Sequence, residues 1–208
     1  MIPGPTIYYK CPICELLSST GSLVSGNTIG SRLFSDGKSI SPMLPEFPVM
    51  NKCQDCNHSF WLNDSTKFNG EISEKRITQA IFPYIEDLHN LLESNFYESK
   101  DEESYLRLRL MWAFNDRLRE HKQMFNSSHE EEIWRNNQER HLEILDESRI
   151  DDKFLKAEIL RNRGEFYDSF LVLMSVNNDE YMDIVDAFAK EINNENKEVF
   201  EIITLKSF

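Results

Sequence analysis

The chain has 208 residues, 40% hydrophobic and 28% charged, with 36 Asp and Glu against 23 Lys and Arg, a net charge of −13. Such an acidic balance repels phosphate backbones at long range, which argues against a general nucleic-acid-binding role. The longest apolar run, around residues 170–176, is far short of the ~20 residues of a membrane helix. The opening MIPGPTIYYK lacks the charged and apolar regions of a secretory signal. The expectation is a soluble, cytoplasmic protein with no membrane partner.

Composition divides the chain in two. Six of the seven prolines and five of the seven glycines precede residue 50. Residues 1–69 carry five basic and five acidic side chains, leaving 18 and 31 for 70–208. The expected fold class is α+β. A small β-rich domain over 1–68, with a long Gly/Ser/Pro-rich insert, precedes an acidic all-helical domain over 69–208.

The first domain holds all four cysteines, Cys11 and Cys14 in CPIC and Cys53 and Cys56 in CQDC. Each Cys-x-x-Cys puts two thiolates on one turn, and two such turns supply the four-sulfur shell of a structural zinc ion, one per chain. An even cysteine count also suits disulfides, but paired cysteines in a reducing compartment more often hold metal. His58, two residues beyond Cys56, is expected to stay outside a shell that four sulfurs complete. Short strands are expected at 6–10, 47–52 and 58–62. About 68 residues bury only a small core, so a bound metal would contribute much of the stability.

The pattern of knuckles and strands resembles a zinc ribbon. Such knuckles usually follow the second cysteine with a left-handed glycine, and here Glu15 and Asn57 hold those places. Between the knuckles lie SGNTIGSRLFSDGK (25–38) and SPMLPEFP (41–48). A ribbon enclosing such a segment before a helical tail is similar to certain bacterial proteins, a resemblance that implies no activity. Asp36-Gly37 is a good hairpin turn, and Gly26 and Gly30 permit sharp backbone changes. A binding role is the alternative: Gly26, Asn27, Thr28 and Gly30 can offer amides to an anion or nucleotide, with Arg32, Asp36 and Lys38 nearby. The segment matches neither the phosphate-loop nor the dinucleotide pattern.

Helical spacing is expected from about residue 71. Ile81, Ile85, Leu88, Leu92 and Phe96 share one face of a helix expected to start near Phe82, with Pro83 in its first turn. Asp101, Glu102 and Glu103 announce a second helix through Leu108, Met111 and Trp112. A third is expected over 129–147, with Ile133, Trp134, His141, Leu142 and Leu145 inward. Glu103 with Arg107 and Glu131 with Arg135 fall in the favourable i, i+4 order and are expected on solvent faces. Arg107, Arg109, Arg117 and Arg119 point to different sides of their helix and form no basic stripe.

Residues 151–176 resemble a tetratricopeptide repeat. Ala157 and Leu160 take the packing places of its first helix, Gly164 the turn, and Phe166 and Ser169 the second helix. The resemblance implies an antiparallel helical array in which neighbouring helices cover the repeat. A further helix is expected over 179–192 and a short segment of open type over 199–205.

No catalytic nucleophile motif is present, and His89, His121, His129 and His141 show no metal spacing. Catalytic residues: none is assigned, and an enzyme is the least supported class; it would need a pocket around Asn27, Asp36 and Trp112. The economical reading is an adaptor with a structural zinc and a protein or peptide partner. A basic partner segment would suit the acidic excess, with Asp151, Asp152, Glu158, Glu165 and Asp168 as candidate contacts. The alternative is a nucleic-acid accessory protein using Lys10, Arg32, Lys38 and Lys52, with Tyr8, Tyr9, Phe60 and Trp61 for stacking.

Overall fold

The computed structural model describes residues 1–72 and 76–202. Within them run ten short strands: β1 (Ile2–Pro3), β2 (Ile7–Lys10), β3 (Leu17–Thr20), β4 (Leu23–Ser25), β5 (Arg32–Phe34), β6 (Ser39–Ile40), β7 (Met50–Lys52), β8 (Ser59–Trp61), β9 (Ile77–Gln79) and β10 (Glu201–Ile202). Six helices accompany them: α1 (Ile85–Glu93), α2 (Lys100–Arg119), α3 (Ser128–Ile144), α4 (Ile150–Arg163), α5 (Phe166–Met174) and α6 (Met182–Asn193). The molecule is therefore α+β, strand-rich at its start and helical after it. Its chain forms two units, Met1–Ser31 with Ser41–Tyr84, and Arg32–Ile40 with the chain from Ile85 onward.

Proline and glycine keep the strands of the first unit short. β2 pairs antiparallel with β3, which pairs parallel with β9; β7 pairs antiparallel with β8, and β1 with β4. Asn51 is fully buried, and both ends of its amide are used. Its Nδ2 donates to Ser18 Oγ at 2.8 Å, while its Oδ1 accepts from the Ile81 amide at 2.8 Å. A polar core residue is tolerated there because both its donor and its acceptor find a partner. The same contact corrects the expected start of the first helix. The Lys52 amide donates to the Ile81 carbonyl, so residue 81 is tied to a strand and the helix begins only at Ile85.

The second unit packs consecutive helices on one another, α1 on α2, α2 on α3, α4 on α5 and α5 on α6. Two of them start with the same device. Ser99 Oγ accepts from the Glu102 amide and Ser127 Oγ from the Glu130 amide, while Glu102 and Glu130 reach back to the amides of Glu98 and Asn126. Serine followed three residues later by glutamate is the capping-box sequence, here closing on the amide just outside the cap. Arg117 grips Glu130 through both guanidinium nitrogens and holds its carboxyl down at about 2.

α4 ends at Gly164, whose φ of 83° is left-handed, and Ser169 Oγ donates to the Ala157 carbonyl at 2.7 Å where α5 crosses it. Small residues at 157 and 169, both fully buried, let the two backbones approach closely. α3 stops at Ile144, because Leu145 turns to an extended conformation, three residues before the expected end. Of the segment expected at 199–205, Glu201–Ile202 is a strand; the rest of it from 203 lies outside the described residues.

Long-range pairing decides the rest. β5 and β6 form a hairpin through Asp36-Gly37, Gly37 having φ 77°, and β10 adds to β5 with Glu201 opposite Phe34. Beside it lies a fully buried ion pair, Glu158 with Arg161. Arg161 also donates to the carbonyls of Asn196 and Glu198, and its guanidinium lies 4.8 Å from the Phe200 ring centroid. Glu158 further accepts from Ser35 Oγ at 3.0 Å and Asn162 Nδ2 at 3.1 Å. Glu158 is thus not a surface contact, correcting its place among the candidate partner residues. The pair Glu103–Arg107 is likewise buried, joined by Arg140 and by Asn137, although its spacing matches expectation. Sequence spacing reports which residues are neighbours on a helix, not which face a third element covers.

His141 is fully buried on α3, its Nε2 3.0 Å from Ser104 Oγ. Burial, reinforced by the nearby Arg107 charge, pushes its pKa down to about 3.

Arg161→Met should strand the Glu158 carboxylate and cost about 3–5 kcal/mol in urea denaturation, while the double variant Arg161→Met/Glu158→Leu should recover much of that loss. Equal destabilisation by both would contradict this account. For His141 the folded-state value lies below the unfolded one of about 6.5, so the unfolded chain takes up the proton first. Its contribution is complete above about pH 6.5 and is lost as pH falls toward about 3. Between about pH 7 and 5.5 the wild type should lose about 1.3 kcal/mol more than His141→Leu, measured by denaturation at each pH.

Candidate functional site

The two cysteine motifs fold into matching turns. In the first, the Glu15 amide donates to the Cys11 carbonyl at 3.0 Å and the Cys11 amide to the Leu16 carbonyl at 2.9 Å. In the second, Asn57 donates to Cys53 at 3.0 Å and Cys53 to His58 at 2.9 Å. Glu15 and Asn57 are both left-handed, with φ of 63° and 59°. The turn needs that conformation after its second cysteine whatever the residue. Asparagine adopts it readily and glutamate at a steric cost. Lys10 Nζ holds the Glu15 carboxylate at 2.9 Å.

These turns bring Cys11, Cys14, Cys53 and Cys56 together, all four sulfurs lying within 4.8 Å of one another. The Cys11–Cys56 and Cys14–Cys53 separations are 3.6 and 3.4 Å. A tetrahedron with metal–sulfur bonds of about 2.3 Å has edges of about 3.8 Å, so the group can hold a metal ion. The spacing also leaves the cysteines as four thiols and not two disulfides. Cys11 and Cys53 are buried with Phe60 in an apolar cluster of the unit, whereas Cys14 is half-buried and Cys56 exposed. Burial pushes the Cys53 thiol up, but amides of Cys56 and Asp55 and the neighbouring sulfurs outweigh it and bring it to about 7. Burial dominates at Cys11, whose thiol is raised. His58 gives the site its backbone carbonyl; among the described residues, the only metal-capable group of three or more ligands is the four cysteines.

The 25–38 segment is divided between the two units. In the first, Asn27 Oδ1 accepts from the Ile29 amide at 3.0 Å, the Ser31 amide donates to Thr28, and Gly30 has φ 75°. Gly26 runs so close to the Met43 carbonyl that a side chain would collide. In the second unit Arg32 donates twice to Glu201 Oε2, at 2.9 and 2.7 Å, and Lys38 reaches both oxygens of Asp116. Asp36 is buried and held by Asn115 Nδ2 and Arg119. All three charged side chains of this segment therefore have partners of opposite sign.

Asp36 and Trp112 meet, as Trp112 Nε1 donates to the Asp36 carbonyl at 2.9 Å. Beside them opens a groove of about 650 Å³ lined by Tyr105 and Trp112 of α2, Phe154 and Leu155 of α4, Tyr181, and Ile184 of α6. Asp101, Asp151 and Asp152 also line it, with Arg149 as the one basic side chain among the described residues. Arg149 is 3.2 Å from Asp101, so the acidic excess is carried by Asp151 and Asp152. Tyr105, Phe154 and Tyr181 carried no signal in the sequence beyond helical spacing. Glu165 pairs with Arg163, and Asp168 lies on the first turn of α5. No protein-family model, curated protein or solved structure matches the chain.

Loading with a thiophilic divalent ion should shield four thiols from alkylation. Cys11→Ser or Cys53→Ser should abolish that protection and unfold the first unit while far-ultraviolet dichroism keeps its helical signal. A variant that still holds one ion per chain would contradict the four-sulfur assignment.

Proposed function

We propose that the protein is an adaptor in which a structural zinc ion organises the first unit and the helical unit receives a basic peptide segment of a protein partner. Zinc suits an all-sulfur tetrahedral shell, and four thiolates leave no position for a reactive water, which favours a structural role. The left-handed residues at 15 and 57 support the likeness to a zinc ribbon. The close pairing of α4 with α5 through Ala157 and Ser169 supports the likeness to a tetratricopeptide repeat, a class of helix pair whose stacked surfaces accommodate peptides.

The observation that carries the peptide reading is the 650 Å³ groove, with aromatic walls and the Asp151 and Asp152 carboxylates. Apolar walls accept the stem of a lysine or arginine, and the carboxylates meet its charge. The ion pairs at Arg32 and Lys38 weaken the nucleic-acid alternative, since both cations are already compensated.

Fluorescence anisotropy with labelled peptides of matched length, basic against acidic, tests this reading. Basic peptides should bind more tightly, lose affinity with added salt, and bind the Asp151→Asn/Asp152→Asn variant about tenfold more weakly. Asparagine at 152 can keep the acceptor that now takes the Asp146 amide, so folding should be spared. Indifference to peptide charge, or to the double variant, would sink the proposal.

A further inference from the structure

Of the six helices α5 is the most apolar, and its only charged residue is Asp168. A helix apolar on all sides is ordinarily buried on all sides. α5 is covered on one side only. There Ser169 meets α4, and Leu173 joins the cluster it shares with Val185 and Phe188 of α6. On its other side Tyr167 is 73%, Phe170 40%, Leu171 49% and Met174 61% exposed. These places are i, i+3, i+4 and i+7, and they span an arc of about 100°, the width of a stripe that normally faces a core. Asp168 lies about 60° beyond the edge of that arc, so the stripe itself carries no charge. Among the described residues, the groove takes none of its lining from α5.

Three properties of the stripe select a second copy of the same chain as its cover. A face without charge offers nothing to a basic or an acidic segment and is matched by an equally apolar face. The order of its side chains is also self-complementary. Turned antiparallel about a twofold axis between residues 170 and 171, the stripe sets Tyr167 opposite the partner's Met174 and Phe170 opposite the partner's Leu171. A ring against a thioether sulfur is a favourable contact, and the twofold makes it twice. The same turn sends the two Asp168 carboxylates toward opposite ends, whereas a parallel pairing would set them side by side. Size then fixes the strength. The four side chains expose about 450 Å². Two copies would bury about 900 Å² between them, below the ~1,200 Å² of lasting complexes and within the range of transient ones.

We propose that α5 is a self-association face through which two copies of the chain form a weak twofold dimer, their α5 helices antiparallel. Each copy carries a net charge of −13, so long-range repulsion opposes the contact, and added salt strengthens it by screening. A basic peptide in the groove responds to salt with the opposite sign.

Sedimentation velocity of the full-length, metal-loaded protein over about 5–500 µM tests this, with a monomer–dimer Kd expected at about 10–200 µM. The dimer should tighten at least about threefold between about 50 and 500 mM sodium chloride. Tyr167→Glu and Met174→Glu should each weaken it about tenfold or more. Both positions are exposed, so the melting temperature of each variant should stay near that of the wild type. Tyr167→Glu/Met174→Lys puts opposite charges at 167 and at the facing position 174, and should associate at least about threefold more tightly than Tyr167→Glu. A wild type that stays monomeric at both salt concentrations would overturn the proposal without any variant, as would association that weakens with salt. Association indifferent to the single substitutions would place the contact elsewhere and overturn it too. No recovery in the double variant would overturn the antiparallel pairing.

Discussion

The ion pair of Glu158 with Arg161 is the constraint around which the helical unit is arranged. Two charges withdrawn from water cost several kcal/mol each, and their mutual attraction repays this only when the remaining hydrogen-bonding capacity is filled. Here most of it is filled from distant parts of the chain. Ser35 of the hairpin and Asn162 of α4 serve the carboxylate, while the carbonyls of Asn196 and Glu198 serve the guanidinium. The Phe200 amide then donates to Ser35 Oγ, and its carbonyl accepts from the Ser35 amide, which fastens the last described strand beside the hairpin. Burial pushes the Glu158 carboxyl up against the pull of Arg161. The arrangement is thus expensive and over-determined, the combination that rewards one packing over near alternatives.

A parallel logic holds the first unit, with sulfur in place of carboxylate. One of its apolar clusters gathers Cys11, Cys53 and Phe60, flanked by Tyr9, Cys14, Leu16 and Leu62. A unit of so few residues leaves much of the conformational entropy of the chain uncompensated. A metal that binds the four gathered sulfurs and not the unfolded chain stabilises the fold by its binding free energy. The cysteines are therefore core residues that could at the same time hold a metal ion.

The arginines of α2 show how a net charge of −13 coexists with a specific interior. Arg107 serves Glu103 and Asn137, Arg117 serves Glu130 and the Met124 carbonyl, and Arg119 serves Asp36 and Asp116. Arg107 and Arg117 tie α2 to α3 through Asn137 and Glu130, and Arg119 ties it to the β5–β6 hairpin through Asp36. With the cations spent internally, much of the acidic excess is left to the surface. That distribution leaves the Asp151 and Asp152 carboxylates in the lining of an aromatic groove.

The four metal-capable cysteines, the change from strands to helices, the Asp36-Gly37 turn, the serine caps before α2 and α3 and the Gly164 turn all follow from short-range sequence. Each depends on residues a few positions apart, whose geometry the covalent backbone and local hydrogen bonds decide. The helix start at residue 85 was less legible, because Ile81 is hydrogen-bonded to Asn51 of β7, far from it in sequence. The groove, the buried Glu158–Arg161 pair and the inward face of Glu103–Arg107 were decided by tertiary structure alone. A charged residue reads as surface until a distant donor is known to meet it, and only the folded chain brings Ser35 to Glu158 or Asp36 to Arg119.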